Sequence, residues 1–495
     1  MTKRFFFIIS SLLFVLVGLS SCDDPLRNQQ RQAYYANFFA RNALQTYYLW
    51  NAEISDKLDG WKETGDPAEQ VLDARYRTGS GQEVDRWTQF LPDYGSFMNY
   101  VSGESVGTFG YDFLLTYLDE AHTQIAAVVT LTYTDGPAAR AGLKRGDLIV
   151  KVNGKALTPG NYVRVVEDEL LGAGRVVLTL GDGREVTMDP VSMYENPVLL
   201  SKIFDNGSKR IGYLAYNNFT VDSYRELTEV CKGFRAAGIS DLILDLRYNT
   251  GGFTVAEEFL ASMLAPEAVV QAGEVLSMEV YNQILTDYFA SRNEDTKTYF
   301  KQDFSFKVNG KSYRFNTRDA NARPARIYAI VTGSSASASE ALLCDLKPYM
   351  PVFLIGGQTH GKYCSGLPLA ADEFYEDNKS QLGAKVSSEG QANTRNMGIY
   401  VMYSRFTDKN GETLCMPDGL TPDIPVEDNP FDGCQLGDPA ETMLAAALSA
   451  CGFTPAKQRA ALRAPAAAVR RPDAVTGVPA RSRGGYRIRL DRPER

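Results

Sequence analysis

The residues best suited to chemistry in this chain are a serine and a lysine, Ser337 and Lys362, which lie 362 − 337 = 25 positions apart. Ser337 follows an apolar segment at 327–331, which predicts a strand, and precedes one at 341–346, which predicts a helix. This order predicts an exposed hydroxyl at a helix N-terminus, where unpaired N–H groups and the helix dipole stabilise a developing oxyanion. The arrangement indicates acyl transfer by a serine nucleophile. The run of small residues reads Gly333-Ser334-Ser335-Ala336-Ser337-Ala338-Ser339-Glu340.

The same residues could also be a helix cap or part of a Ser-His-Asp triad. Runs of Ser, Ala and Gly also cap helices without any catalytic role. A Ser-His-Asp triad would have to use His122 or His360, the only two histidines in the chain. His360 lies two residues before Lys362, so a lysine base fits this pattern better. A lysine acts as a base only when it is neutral, which requires burial or a nearby positive charge.

A second candidate segment precedes the serine run. It follows a predicted buried strand at 242–246, and open α/β sheets place their sites at such carboxyl ends. Its two glycines, Gly251 and Gly252, allow a substrate to approach the backbone closely. A plain turn with a glycine cap is the alternative. The segment reads Asp245-Leu246-Arg247-Tyr248-Asn249-Thr250-Gly251-Gly252.

Taken in order, the Asp-Leu-Arg segment, the serine run and Gly361-Lys362 resemble the motifs of the C-terminal processing, or tail-specific, serine peptidases. The resemblance covers roughly residues 100–450. It implies that Ser337 is the nucleophile and Lys362 the general base. It also implies that the N–H groups of Gly251 and Ala338 hold the oxyanion, and that neither a metal nor a cofactor is needed.

The chain departs from this family at one position near the lysine. Many members carry a glutamine four residues after the lysine, where it orients the amine, whereas this chain has Gly366. The orienting contact must then come from another group, and Thr359 and Ser365 are the candidates. The departure bears on catalytic efficiency more than on the fold.

The segment between residues 136 and 154 closely resembles the PDZ signature. A short helix at 138–141 ends at Gly142, and Asn153-Gly154 closes a hairpin. PDZ domains add a peptide as an extra strand and hold its carboxylate with backbone N–H groups. The corresponding loop here spans 107–113, so the predicted peptide-binding residues are Phe109, Gly110 and Tyr111, with a structural turn as the alternative.

The N-terminus has the pattern of an export signal. Lys3 and Arg4 precede an apolar run at 5–19, and Leu19-Ser20-Ser21-Cys22 resembles a bacterial lipoprotein cleavage box in which Cys22 is lipidated. An uncleaved anchor is the alternative. Export permits disulfides, but the six later cysteines have no zinc-type spacing, and fifteen full pairings or buried free thiols remain open.

These patterns predict an α/β protein: a crotonase-like α/β catalytic core at 195–453, a mostly β PDZ domain at 100–190 and a small N-terminal helical region at 28–95. A signal at 1–22 and a disordered, locally basic tail at 455–495 complete the division. Within the core, residues 396–406 and 413–416 predict a hairpin.

The predicted function is that of an exported serine endopeptidase, lipid-anchored in a bacterial cell envelope and acting on protein or peptide tails. A net charge of −8 argues against a nucleic-acid partner. The alternative is a non-catalytic lipoprotein that binds peptides or an apolar ligand on the same fold.

Overall fold

Three consecutive regions make up the described part of the chain. The computed structural model describes residues 25–102, 104–171, 174–308, 310–453 and 487–488. The first region is mainly helical, and its aromatic side chains join the main hydrophobic core instead of forming a separate one. Its elements are α1 (Pro25–Tyr47), α2 (Ser55–Asp59), α3 (Pro67–Ala74), β1 (Gln89–Leu91) and α4 (Tyr94–Val101).

The second region is mostly β and has a hydrophobic core of its own. The strands β3-β4-β5-β7-β8 form an antiparallel sheet, with β6 beside β5, and β2 pairs separately with β9. Its elements are β2 (Glu104–Thr108), β3 (Tyr111–Tyr117), β4 (Ile125–Thr132), α5 (Pro137–Arg140), β5 (Leu148–Val152), β6 (Lys155–Ala156), α6 (Tyr162–Val165), a π-helical turn (Val166–Leu170), β7 (Val176–Leu180), β8 (Glu185–Met188) and β9 (Val191–Tyr194).

The third region alternates strands and helices, which confirms the expected α/β class. The elements in its first half are β10 (Val198–Asp205), β11 (Arg210–Tyr216), α7 (Tyr224–Ala237), β12 (Asp241–Asp245), β13 (Gly252–Phe253), α8 (Thr254–Leu264), α9 (Glu267–Ala272), β14 (Val275–Tyr281), α10 (Gln283–Ser291), β15 (Lys297–Tyr299), β16 (Asp303–Val308) and β17 (Lys311–Asn316). Those in its second half are β18 (Ile327–Val331), α11 (Ala338–Leu346), β19 (Val352–Gly356), β20 (Cys364–Ala370), α12 (Ala371–Asp377), α13 (Lys379–Leu382), α14 (Ala384–Asn393), β21 (Gly398–Asp408), β22 (Ile424–Pro425), α15 (Thr442–Ala450) and β23 (Arg487–Ile488).

Two sheets dominate this third region. The first has the order β10-β11-β12-β18-β19-β22, and from β11 onward its neighbours are parallel. The strands β12 and β18 are fully buried; β18 is apolar throughout and β12 is apolar between its two terminal aspartates, as expected for a sheet covered on both faces. The second sheet has the order β13-β23-β20-β21-β14-β15, and β1 of the helical region pairs with β21. The expected hairpin is wrong: β21 is a strand, but residues 414–416 form a turn and Thr413 belongs to no strand.

A buried network of ion pairs joins the second region to the third. Arg247 binds Glu441 through two hydrogen bonds of 2.7 and 2.9 Å, and it also contacts Asp245 and Asp428. Arg145, from the second region, reaches the same Asp428 at 2.5 Å. Burial acts to raise the pKa of Asp428 and of Glu441, but the two arginines more than offset it and hold both pKa values below their usual range. These carboxylates therefore stabilise the fold at neutral pH, and the contribution is lost as the pH falls through the lowered values.

We predict that Arg247→Ala lowers the free energy of unfolding by about 3–5 kcal/mol, because it leaves buried carboxylates without their counter-charge. Urea unfolding at pH 7 measures the change. The matched control is Arg210→Ala, since Arg210 pairs with Asp205 at the surface and its loss should barely move the midpoint. The difference between wild type and Arg247→Ala should shrink as the pH falls below about 4 and through the lowered pKa values of Asp428 and Glu441. Equal midpoints for the two variants at pH 7 would contradict this account of the network.

Candidate active site

Ser337 is the N-cap of α11, directly after the loop that follows β18. Its backbone has φ 63° and ψ −112°, a conformation that residues with a side chain rarely adopt. Strain of this kind costs about 1–3 kcal/mol and concentrates at functional sites. Within the described residues the Ser337 Oγ has no hydrogen-bond partner.

The expectation of an exposed serine hydroxyl is wrong. Ser337 is completely buried, and so is every residue of α11. The reason is that the segment 359–362 runs against the start of this helix. The N–H of His360 donates to the carbonyl of Ser335 at 3.0 Å, and the His360 ring approaches the Gly333 carbonyl at 3.3 Å.

Glu340 connects the serine to the lysine. Its Oε2 accepts hydrogen bonds from the backbone N–H of Ser337 and of Lys362, both at 2.9 Å. Its Oε1 accepts from the N–H of Gly361 at 2.7 Å and from the hydroxyl of Thr359 at 2.5 Å. One buried carboxylate therefore fixes the position of both main-chain segments. Burial raises the pKa of Glu340, although each of the four hydrogen bonds acts to lower it.

The Lys362 side chain ends in an aromatic environment. Lys362 is fully buried, and its Nζ donates to the Tyr400 hydroxyl at 3.3 Å. The amine also lies 5.3 Å from the ring centroid of Trp87 and 5.3 Å from that of Tyr400. Trp87 comes from the N-terminal region, so that region helps to build the site.

The glycine-containing loop packs against the serine run. The carbonyl of Asn249 accepts hydrogen bonds from the N–H of Ala336 at 3.1 Å and from the hydroxyl of Ser339 at 2.9 Å. Gly251 has φ 108° and Gly252 has φ 146°, and a Cβ on Gly252 would lie 2.3 Å from the Phe219 carbonyl oxygen. Only glycine fits there. The structure thus brings the three predicted segments together at the start of α11.

The predicted oxyanion donors differ in their present contacts. Ala338 is the first residue of α11, so its N–H has no acceptor within the helix. The N–H of Gly251 donates to the side-chain oxygen of Asn249 at 2.9 Å. Gly251 would have to exchange that acceptor for the oxyanion.

The two residues expected to orient the lysine make contacts of their own. The Thr359 hydroxyl donates to Glu340, and it also accepts from the N–H of Leu420 at 2.6 Å. The Ser365 hydroxyl donates to the carboxylate of Glu279, at 3.2 Å for the nearer oxygen. No pattern in the sequence indicates that Tyr400 reaches the lysine.

The histidines occupy different places. Burial and, next, the positive charge of Arg86 lower the pKa of His360, so its imidazole is neutral at pH 7. His122 is exposed in the second region and stacks on Tyr117 with ring centroids 4.0 Å apart. His360 is therefore the histidine that lies beside the serine run.

The predicted peptide-binding loop is tightly held in this structure. Phe109 and Tyr111 are buried, and the carbonyls of Phe109 and Gly110 accept hydrogen bonds from Ala138 and Tyr133, both at 2.9 Å. The Gly110 N–H donates to the Thr108 hydroxyl at 3.0 Å. A bound carboxylate would compete for this N–H.

The six cysteines from Cys231 to Cys451 are free and buried in the structure. Of the two alternatives, disulfides or buried free thiols, the structure has the free thiols. Burial raises the pKa of Cys364, the nearest of them to Lys362 in sequence. Cys22 and the predicted signal lie outside the described residues. No helix in the described ranges is long and apolar enough to span a bilayer.

Comparison with known proteins agrees with this architecture. Residues 210–426 match the model of "Peptidase family S41", and residues 128–171 match that of a PDZ domain. A "Probable CtpA-like serine protease" of Staphylococcus aureus (strain N315) is 27% identical over 267 residues, which cover 54% of this chain and 46% of that protein. A protein of the same name from Staphylococcus saprophyticus is 24% identical over 334 residues, covering 63% of this chain and 59% of the relative.

A crystal structure of an S41-type protein from Bacteroides fragilis NCTC 9343 superposes with a TM-score of 0.60 at 21% identity, covering 84% of this chain and 97% of that one. This likeness shows a common fold. The fold is an α/β core of the S41 type that follows a PDZ domain. The match of residues 210–426 to the peptidase family S41 model confirms the expected resemblance, and the expected α/β core with a PDZ domain is confirmed as well. The chain spans about half the length of the S. aureus relatives it matches.

Sequence reasoning missed three residues of the site: Glu340, Tyr400 and Trp87. A signal for Glu340 was present, because Ser337 and Glu340 have the spacing of a capping box, in which the glutamate binds the N-cap N–H. Tyr400 and Trp87 lie far from Lys362 in sequence, and no motif connects them with it.

We predict that Glu340→Gln lowers the free energy of unfolding by about 2–3 kcal/mol, because an amide offers one acceptor oxygen and leaves buried donors unpaired. Urea unfolding measures the change. The control is Glu389→Gln, since Glu389 accepts one hydrogen bond, from the Tyr35 hydroxyl at 2.6 Å, and its replacement should cost about 1 kcal/mol. Equal losses in the two variants would show that Glu340 does not fix the site in the way described.

Proposed function

We propose that this protein is an exported serine endopeptidase that hydrolyses protein substrates with a Ser337–Lys362 dyad. One observation carries the proposal: the buried Glu340 carboxylate binds the backbone N–H of both residues. The strained backbone of Ser337 and its unpaired hydroxyl add independent support.

In the first half of the reaction, the Ser337 Oγ attacks the scissile carbonyl carbon while the Lys362 amine takes the hydroxyl proton. The N–H groups of Ala338 and Gly251 then stabilise the tetrahedral oxyanion. The C–N bond breaks as the Lys362 ammonium gives its proton to the leaving amine. This leaves an ester on Ser337 and a neutral lysine.

In the second half, a water molecule attacks the ester carbonyl and gives one proton to the Lys362 amine. The acyl C–O bond breaks, and the proton passes from Lys362 to the Ser337 oxygen. The carboxylic acid product leaves and loses its remaining proton to solvent, and both residues return to their starting forms. Each step of this scheme uses only residues of the chain and water.

The surroundings of Lys362 suit both of its charge states in turn. Complete burial favours a neutral amine, which is the form that can accept the serine proton. The faces of Trp87 and Tyr400 favour the ammonium that follows proton transfer, because aromatic faces attract cations. Burial and the aromatic faces thus act on the Lys362 amine in opposite directions.

The PDZ domain supports a preference for the C-terminal tails of substrates, since such domains capture chain ends as added strands. In this proposal Phe109, Gly110 and Tyr111 form the carboxylate-binding loop. The network through Arg145 and Arg247 ties this domain to the loop that carries Gly251. Substrate capture and catalysis would thus occur on parts of one connected unit.

We predict that Ser337→Ala abolishes cleavage of an unfolded protein substrate, while the free energy of unfolding changes by no more than about 1 kcal/mol. Mass spectrometry of the products measures cleavage, which should survive a metal chelator in the wild type. Ser334→Ala is the matched control, because it removes a hydroxyl from the same run without touching the proposed dyad. Retained cleavage in Ser337→Ala would overturn the assignment. Substrate binding without cleavage by the wild type would favour the non-catalytic alternative.

The export part of the proposal assigns Cys22 as the lipidated residue after signal cleavage. Cys22→Ser should block processing by the lipoprotein route and change the mature mass, because serine has no thiol to receive the lipid. Membrane attachment should also change, since several buried acyl chains hold a protein firmly. Fractionation and intact mass measure both effects, with Cys231→Ser as a control that leaves the signal intact. An unchanged membrane fraction and mass in Cys22→Ser would contradict lipidation.

A further inference from the structure

The missing glutamine near the lysine leaves a space that another residue fills. A Cβ atom on Gly366 would lie 2.0 Å from Cζ and 2.2 Å from the hydroxyl oxygen of Tyr400. Contacts that short do not occur, so no larger residue fits at position 366 while Tyr400 keeps this place. Gly366 and Tyr400 therefore form one arrangement, in which the tyrosine ring occupies the volume above the glycine.

Tyr400 is held firmly in this place. It lies within β21, where its backbone is paired with Pro368 of β20 on one side and with Gln89 of β1 on the other. Its ring is fully buried and packs against Phe97 with centroids 5.5 Å apart. The strand pairing fixes the backbone of Tyr400, and the packing of its buried ring keeps the phenol beside the Lys362 amine.

We propose that the Tyr400 hydroxyl positions the Lys362 amine, in the role that a glutamine four residues after the lysine fills in many relatives. The Nζ of Lys362 donates one hydrogen bond to this oxygen at 3.3 Å. That hydrogen bond orients the amine, so that its lone pair can face the Ser337 proton. Tyr400 touches the base and not the substrate, so it is a positioning residue. The inference rests on the proposed Ser337–Lys362 dyad.

The test is Tyr400→Phe, which removes one oxygen and keeps the ring that fills the space at Gly366. We expect kcat for peptide cleavage to fall roughly ten- to a hundredfold with KM nearly unchanged, because a misplaced base slows the chemical step. The rising limb of the kcat–pH profile should move to lower pH, since the lost acceptor stabilised the ammonium form. A purely structural role would not shift this limb.

Tyr403→Phe is the matched control. Tyr403 is another buried tyrosine of β21, and its ring packs against Tyr281 with centroids 5.1 Å apart. Removing the Tyr403 hydroxyl should leave both kcat and the pH profile unchanged from the wild type. The inference would be overturned if Tyr400→Phe kept the kcat and pH profile of the wild type. It would also be overturned if Tyr400→Phe and Tyr403→Phe changed kcat and the pH profile equally.

A reciprocal exchange provides a second test. Tyr400→Ala opens the space beside residue 366, and adding Gly366→Gln supplies the amide that many relatives carry there. We expect the double variant to modify Ser337 with a fluorophosphonate probe several-fold faster than Tyr400→Ala alone, as measured by intact mass. No recovery, with both variants folded by circular dichroism, would contradict the role. Activity in Ser337→Ala would instead refute the dyad itself, so the two failures are distinguishable.

Discussion

The candidate site depends on one buried carboxylate. Glu340 lies in the first turn of α11, where the helix dipole favours a negative charge, and it accepts hydrogen bonds from both sides of the site. Three of its four donors are backbone N–H groups, so it fixes the course of the main chain and not merely a side chain. The lysine segment, which comes after β19, is thereby held against the serine that follows β18.

This interaction also explains how a strained residue persists. The positive φ of Ser337 costs about 1–3 kcal/mol, and a hydrogen bond to a charged group contributes about 1.5–3 kcal/mol. The bonds to Glu340 are therefore large enough to hold the N-cap in place. Around them, the parallel sheet and the fully buried α11 exclude water, which strengthens every charge interaction at the site.

Much of the fold was predictable because local patterns determine it. The strand Ile327–Val331 has the bounds that its apolar pattern indicates, and the helix predicted at 341–346 lies within Ala338–Leu346. The three motifs were recognisable because glycine, serine and lysine are needed at fixed spacings. Residues 413–416 were misassigned because a turn with a few apolar residues resembles a short strand.

The rest of the site arises from contacts between distant parts of the chain. The burial of Ser337 results from packing of the 359–362 segment, which no local pattern encodes. The contact between Lys362 and Tyr400 depends on the pairing of β20 with β21 and on the absence of a side chain at Gly366. In the sequence, Gly366 indicates only that the glutamine side chain is missing. In the structure, the same glycine leaves room for the Tyr400 ring.

The most direct test of the dyad is the rate at which a fluorophosphonate probe modifies Ser337, measured by intact mass between pH 5 and 10, in the wild type and in Lys362→Arg. A neutral lysine base predicts that the wild-type rate rises with pH and then levels off. Arginine keeps the positive charge but cannot give up its proton, so the variant should react very slowly at every pH. A wild-type rate profile in Lys362→Arg would show that another group, with His360 the first to examine, takes the proton from the serine.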